Sequence, residues 1–235
     1  MTKIGKYSSY LKAKHCKAYS PQTAKELQEA VRAVFNISKS EALGWQALFE
    51  AASGCRTEEV LQLRLGAQPD EPGHILGDNM CVRRCKKADQ ENPFVNLTPE
   101  FKVIIAAHKI WHDRYYPNNP WYFPNLRAVA KGKVACPHAQ TGSLTKCLDR
   151  LFKTKILKRK FTSHGMRAFF VLWRRSHGIS DSQICTEINQ IGGTRTLEIS
   201  YGIAPPAWLG GKGPKLTLLP AARRNYAWAK LLAAK

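Results

Sequence analysis

The chain has 235 residues, 44% of them apolar, enough to bury one sizeable core and consistent with one or two domains. Lysine and arginine number 37 against 17 acids, so the formal charge is +20 and a polyanionic partner is expected, nucleic acid before an anionic membrane surface. No run approaches the ~18 apolar residues of a spanning helix and no secretory signal pattern opens the chain, which excludes a membrane-spanning reading and leaves a soluble protein as the expectation.

Residues 1–19 carry Lys3, Lys6, Lys12, Lys14, His15 and Lys17 with little apolar periodicity, and read as a basic arm or linker remnant. From Ser20-Pro21 a helix start leads into Ala24, Leu27, Val31 and Val34 at helical spacing, and a second apolar helix is expected from Ser40 to about Ala52. A third follows Gly54 with Val60, Leu61 and Leu63, before Gly66, Pro69, Pro72 and Gly73 break the chain. Two short strands are predicted next, one with Met80 and Val82, one with Pro93, Val95 and Leu97, joined by the charged turn Arg83-Arg84-Cys85-Lys86-Lys87. Pro99 opens a helix with Phe101, Ile104, Ile105, His108 and Trp111 on one side, ended by a Pro/Asn-rich aromatic stretch over 115–125. Further helices are expected over 142–155, 165–176, 180–190 and 195–201. A Gly/Pro-rich linker over 202–220 then leads to a last helix from Ala221 to Ala234. The class is mainly α with a small antiparallel β-sheet (α+β), without internal repeats.

Three short motifs carry chemistry. In Ser53-Gly54-Cys55-Arg56-Thr57-Glu58-Glu59-Val60-Leu61, an arginine follows a turn at the start of an apolar helix, where a guanidinium can grip two phosphate oxygens. In Thr162-Ser163-His164-Gly165-Met166-Arg167, a proton donor and a cation stand three apart, on one face of a helix start. Tyr201 closes the helical segment from Thr194. Each alone is a weak signal, since surface arginines, His-x-x-Arg pairs and packed tyrosines are common.

Order and spacing strengthen them: Arg56, a basic hairpin, His164-x-x-Arg167, a Gly-Gly turn and Tyr201 succeed one another in a single basic chain. This arrangement resembles the tyrosine recombinase (phage integrase) family over roughly residues 20–201. The family pattern is an arginine box with an acid three residues on, a hairpin lysine, His-x-x-Arg, a His or Trp, and a tyrosine. The resemblance implies a catalytic set of Arg56, Lys87, His164, Arg167 and Tyr201, with Glu59 at the acidic position. Counting back from Val95-Asn96-Leu97 favours Lys87 over Lys86. One departure stands out: Ile191-Gly192-Gly193 occupies the family's Leu-Gly-His box, so Gly192 or Gly193 replaces the usual His or Trp. Thr194 or Arg195 compensates, or activity is reduced, or the domain has drifted toward inactivity.

The same resemblance implies the function: cleavage and rejoining of double-stranded DNA through a 3′-phosphotyrosyl intermediate, with no cofactor and no metal. It implies self-association on DNA as a synaptic tetramer, and a bacterial or phage-derived protein working in the cytoplasm with the nucleoid, for DNA integration or related recombination of a mobile element. Residues 202–235 resemble the C-terminal segment that docks on a neighbouring protomer, with packing in cis as the alternative. The N-terminal core-binding domain usual in the family has no counterpart in the arm 1–19. Competing readings are a catalytically degenerate DNA-binding domain of the same fold and a type IB topoisomerase-like activity. The seven cysteines, odd in number and without framework spacing, fit a reducing compartment. Cys81-x-x-x-Cys85 and Cys136-Pro-His138 do not form a paired zinc knuckle, and the aromatic run Trp111 to Phe123 reads as a packed loop rather than a stacking platform.

Overall fold

The computed structural model describes residues 19–37, 41–66, 73–83, 94–125, 138–188, 193–201, 216 and 218. Helix α1, Ala24–Phe35, is capped by the Thr23 hydroxyl, which accepts the Glu26 N–H at 3.1 Å. It buries Leu27, Ala30, Val31, Val34 and Phe35, the one-sided stripe that its spacing predicts. Helix α2, Glu41–Ser53, is buried nearly all round, so it is the central helix on which most of the others pack. Helix α3, Thr57–Leu61, follows after the turn at Gly54.

Three strands form one antiparallel sheet in the order β1-β2-β3: His74–Leu76, Asn79–Cys81 and Phe94–Asn96. The expected pair is present as β2 and β3, with Met80 opposite Val95. Strand β1 has no counterpart among the expected strands. It pairs Ile75 with Met80 across a two-residue loop whose first residue, Gly77, takes φ +55, the sign that primed hairpin turns require. Three residues are too few to show alternation, so only the pairing reveals the strand.

Helix α4, Pro99–Tyr115, starts as predicted, with Thr98 as N-cap and proline in the first turn. The aromatic stretch behind it folds back onto the core: Tyr122 and Phe123 are buried and surround Phe49 and His108, and Trp111 joins them through His108. His108 is fully buried, and its Nε2 lies 3.0 Å from the Tyr122 carbonyl oxygen. Burial first, then the charge of neighbouring His112, push its pKa down to about 3, so it is a neutral core histidine.

Helices α5, Ser143–Lys153, α6, Ser163–Ser176, α7, Asp181–Glu187, and α8, Gly193–Tyr201, complete the described residues. Helix α6 begins two residues earlier than its apolar spacing suggests, because the Thr162 hydroxyl caps it by accepting the Gly165 N–H at 3.1 Å. Gly165 is required there by a close approach: a Cβ would stand 2.1 Å from the Tyr19 carbonyl oxygen. Two ion pairs lock α6 to α7. Arg175 grips Asp181 with two bonds of 2.8 Å, and Arg174 Nε reaches Glu187 at 2.8 Å. Helix α7 in turn packs on α8, which carries Tyr201. Leu216 and Leu218 are buried, and the Leu216 N–H donates to the Ser176 hydroxyl at 2.9 Å. The expected basic arm, apart from Tyr19, and the last helix lie outside the described residues.

Candidate active site

The arginine turn is built by small residues. The Ser53 hydroxyl donates to the Phe49 carbonyl at 2.6 Å and accepts the Cys55 N–H at 3.1 Å, ending α2. Gly54 then takes φ +65, and a Cβ there would meet Ile188 and Phe170 side-chain carbons at 2.6 Å, so both conformation and space call for glycine. Arg56 is the N-cap of α3. Its own N–H donates to Glu59 Oε2 at 2.7 Å, and its Nη1 donates to Glu59 Oε1 at 2.9 Å. Glu59, buried behind it, therefore holds both ends of Arg56, whose side chain keeps 38% of its surface accessible.

The second motif splits its two residues. His164 is exposed on the first turn of α6, whereas Arg167 is only 2% exposed one turn later. The expectation of one shared face holds for their reach: both meet Tyr201. Arg167 Nε donates to the Tyr201 phenolic oxygen at 2.9 Å, and the His164 ring stacks on the Tyr201 ring with centroids 6.0 Å apart and planes at 23°. Arg167 Nη1 also donates to the Gly54 carbonyl, which ties the second motif to the turn that presents Arg56.

Burial opposes the Arg167 charge, but Tyr201, by its charge interaction and hydrogen bond, and then Glu59 hold the guanidinium above its usual pKa. It is a fixed cation beside a phenol. The neighbouring Cys55 thiol is pushed up to about 12 by burial and by Glu59, which leaves it un-ionised and unsuited to nucleophilic work. Tyr201 itself is 4% exposed, at the end of α8.

Of the residues chosen from sequence, His164 and Arg167 of α6 both meet Tyr201 of α8, and Arg56 lies two residues beyond the Gly54 carbonyl that Arg167 grips. Lys87 and its alternative Lys86 lie outside the described residues, as does Gly192. Gly193 opens α8 at φ +62, and a Cβ there would meet nothing within 4 Å. Sequence reading did not single out Glu50, Thr57 or Ser163, whose polar groups meet beneath the two motifs. Among the described residues no group of three or more His, Cys, Asp or Glu side chains is arranged to hold a metal, and no helix is long and apolar enough to cross a membrane.

No family model matches the chain, and no curated protein does. Solved structures do. The chain is similar to the crystal structure of XerA recombinase at 17% identity, with a TM-score of 0.56, over 82% of this chain and 61% of that one. It is similar to XerH site-specific recombinase bound to palindromic difH substrate in a post-cleavage complex, at 20% identity and a TM-score of 0.53, over 78% and 49% of the two chains. A pre-cleavage complex of XerH with difH substrate matches at 17% identity and a TM-score of 0.51, over 77% and 50%. The chain thus spans about half to three fifths of the length of these proteins. Together with the mainly helical body and its small antiparallel sheet, the likeness shows that the chain has the fold of a tyrosine recombinase catalytic domain.

Proposed function

We propose that this chain is the catalytic domain of a tyrosine recombinase, cutting and rejoining double-stranded DNA at a specific site through a 3′-phosphotyrosyl intermediate. The observation that carries the reading is the meeting of Arg167 and His164 on Tyr201. Tyr201 Oη would attack the scissile phosphorus and lose its proton, and His164 would assist that proton transfer or donate to the phosphate. Arg56 and Arg167 would neutralise the non-bridging oxygens as negative charge builds on them, and stabilisation of this kind usually lowers such a barrier more than any other single effect. Lys87 would give a proton to the departing 5′-oxygen, general-acid help that is typically worth ~10²–10⁴-fold.

The covalent link conserves the phosphodiester's energy, so a second 5′-hydroxyl reverses the step on a new strand without ATP or metal. The excess of lysine and arginine would hold the duplex mainly through its backbone. Strand exchange needs two duplexes, hence assembly of several copies on DNA, and the reading includes a synaptic tetramer in the compartment that holds the DNA. Recombination of a mobile element is the biological setting it fits.

The test is a suicide duplex library carrying nicks near candidate half-sites, scored for a denaturant-resistant protein–DNA adduct. The reading expects an adduct that Tyr201→Phe abolishes while salt-sensitive DNA binding persists; an adduct that survives Tyr201→Phe removes it. The glycines at 192 and 193, where the family has a His or Trp, favour a second reading, a degenerate DNA-binding domain. That reading expects salt-sensitive binding and no adduct from the wild-type chain. Relaxation of supercoiled plasmid without site preference would instead point to topoisomerase-like activity.

A further inference from the structure

Beneath the two phosphate-binding motifs lies a buried acid that the proposed chemistry does not use. Glu50, in the last turn of α2, is 1% exposed. Its Oε1 accepts from Gln46 Nε2 at 2.8 Å and its Oε2 accepts from the Ser163 hydroxyl at 2.9 Å. The Ser163 hydroxyl also touches the Thr57 hydroxyl. Either hydroxyl can be the donor in that contact. The backbone N–H of Ser163 is held from a third side by the Thr145 hydroxyl of α5, at 3.2 Å.

The chain positions give this cluster its meaning. Thr57 immediately follows Arg56 and opens α3; Ser163 immediately precedes His164 and opens α6. The two hydroxyls stand 106 residues apart in sequence and share one carboxyl group. Burial pushes that carboxyl up to about 7, against the opposing pull of its bonds to Gln46, Ser163 and Thr57. A buried acid so placed costs stability relative to an apolar residue of its size, so its role lies in specifying an arrangement rather than in strengthening the core.

We propose that Glu50 is a positioning residue, holding the Arg56 turn and the start of the His164-Arg167 helix in mutual register and so setting the geometry with which the site grips the scissile phosphate. The inference rests on the recombinase reading above. Loss of the register would affect the rate of the chemical step more than DNA binding, because the lysines and arginines that hold the duplex are spread over the chain.

The experiment is single-turnover adduct formation on the suicide duplex at saturating protein, beside DNA affinity and thermal unfolding, at a temperature where every variant is folded. The variants are Glu50→Leu, Glu50→Gln, Thr57→Val, the Glu50→Leu/Thr57→Val double, and Ile104→Ala in α4 as a destabilised core control. Glu50→Leu is expected to slow adduct formation by ~10–100-fold, the scale of a small misplacement at a reacting centre, with affinity changed less than ~3-fold. Glu50→Gln keeps an acceptor for Ser163 and restores most of the rate. The double variant is no slower than the slower single, because both break one hydrogen-bond chain. Should Glu50→Leu not fold, Glu50→Gln and Thr57→Val carry the test through the ratio of rate to affinity. Wild-type rates in the folded Glu50 and Thr57 variants, or a slowing that Ile104→Ala reproduces at equal loss of stability, overturn the inference alone. No adduct from the wild-type chain overturns the recombinase reading, and the inference falls with it.

Discussion

Replacing Tyr201 by phenylalanine removes the partner of a buried cation. Arg167 Nε donates to the Tyr201 oxygen at 2.9 Å, and both side chains are almost fully enclosed. Tyr201→Phe leaves the ring stacked near His164 and takes away only the acceptor. A hydrogen bond to a charged group contributes ~1.5–3 kcal/mol, and an enclosed donor that loses its acceptor keeps its desolvation penalty. The expected loss is therefore about 2 kcal/mol, which for a domain of this size lowers Tm by roughly 4–8 °C. Arg167→Met in the Tyr201→Phe background should recover part of the loss, because it removes the stranded charge and its burial cost together. Differential scanning calorimetry of the DNA-free protein, with urea titration as a second measure, decides the matter. A Tyr201→Phe Tm equal to or above the wild type would refute this reasoning, and with it the view that the Arg167–Tyr201 contact is an energetically significant bond in the DNA-free protein.

Other consequences follow from the same structure. Two buried groups pull the pH profile of stability in opposite directions. His108, lowered from 6.5 to about 3 by burial and by His112, binds fewer protons when folded, so its contribution is full above pH 6.5 and lost as pH falls below it. Glu50, raised from 4.5 to about 7 by burial, binds more protons when folded, so stability falls as pH rises from 4.5 to 7. Each slope is about 1.4 kcal/mol per pH unit where it applies, so the two offset one another between pH 4.5 and 6.5. Glu50→Gln should uncover a rise in stability with pH across that window; an unchanged profile in urea titrations would contradict it. Gly165→Ala drives a methyl group into the Tyr19 carbonyl, and an overpacking cost of ~1–3 kcal/mol with loosening of residues 19–21 is expected, read by Tm and by limited proteolysis. If Lys87 is the general acid, Lys87→Ala should slow cleavage of an ordinary duplex by ~10²-fold or more but spare a substrate whose 5′-bridging oxygen is sulfur, a leaving group that needs no proton. The same pattern with Lys86→Ala instead would move the role to Lys86.

Part of the candidate site was legible in the chain because Arg56 and His164 sit at helix starts, and helix starts are written largely by local residues. Thr162 before Ser163-His164, Thr98 before Pro99, and Ser53-Gly54 before the Arg56 turn are signals that a few neighbouring residues complete by themselves. The apolar spacing of α1, α4 and α5 likewise needs only the helical period. Strand β1 escaped notice because three residues carry no period, and its existence depends on β2 lying alongside. Glu50 escaped because an acid in an apolar helix reads as solvent-facing until the helices around it are known.

Composition, charge and short-range pattern therefore determined the class of the fold and the polyanionic partner to expect, while the candidate residues Arg56, His164, Arg167 and Tyr201 came from the resemblance in motif order. Tertiary structure alone decided which atoms meet: that Arg167 is enclosed while His164, three residues earlier, is exposed; that both reach Tyr201; and that Glu50 joins two helix starts 106 residues apart in sequence. The physical reason is range. Caps and amphipathic faces are settled within a few residues of backbone, whereas burial and hydrogen-bond partnership across the core depend on how α2, α3, α6 and α8 pack together.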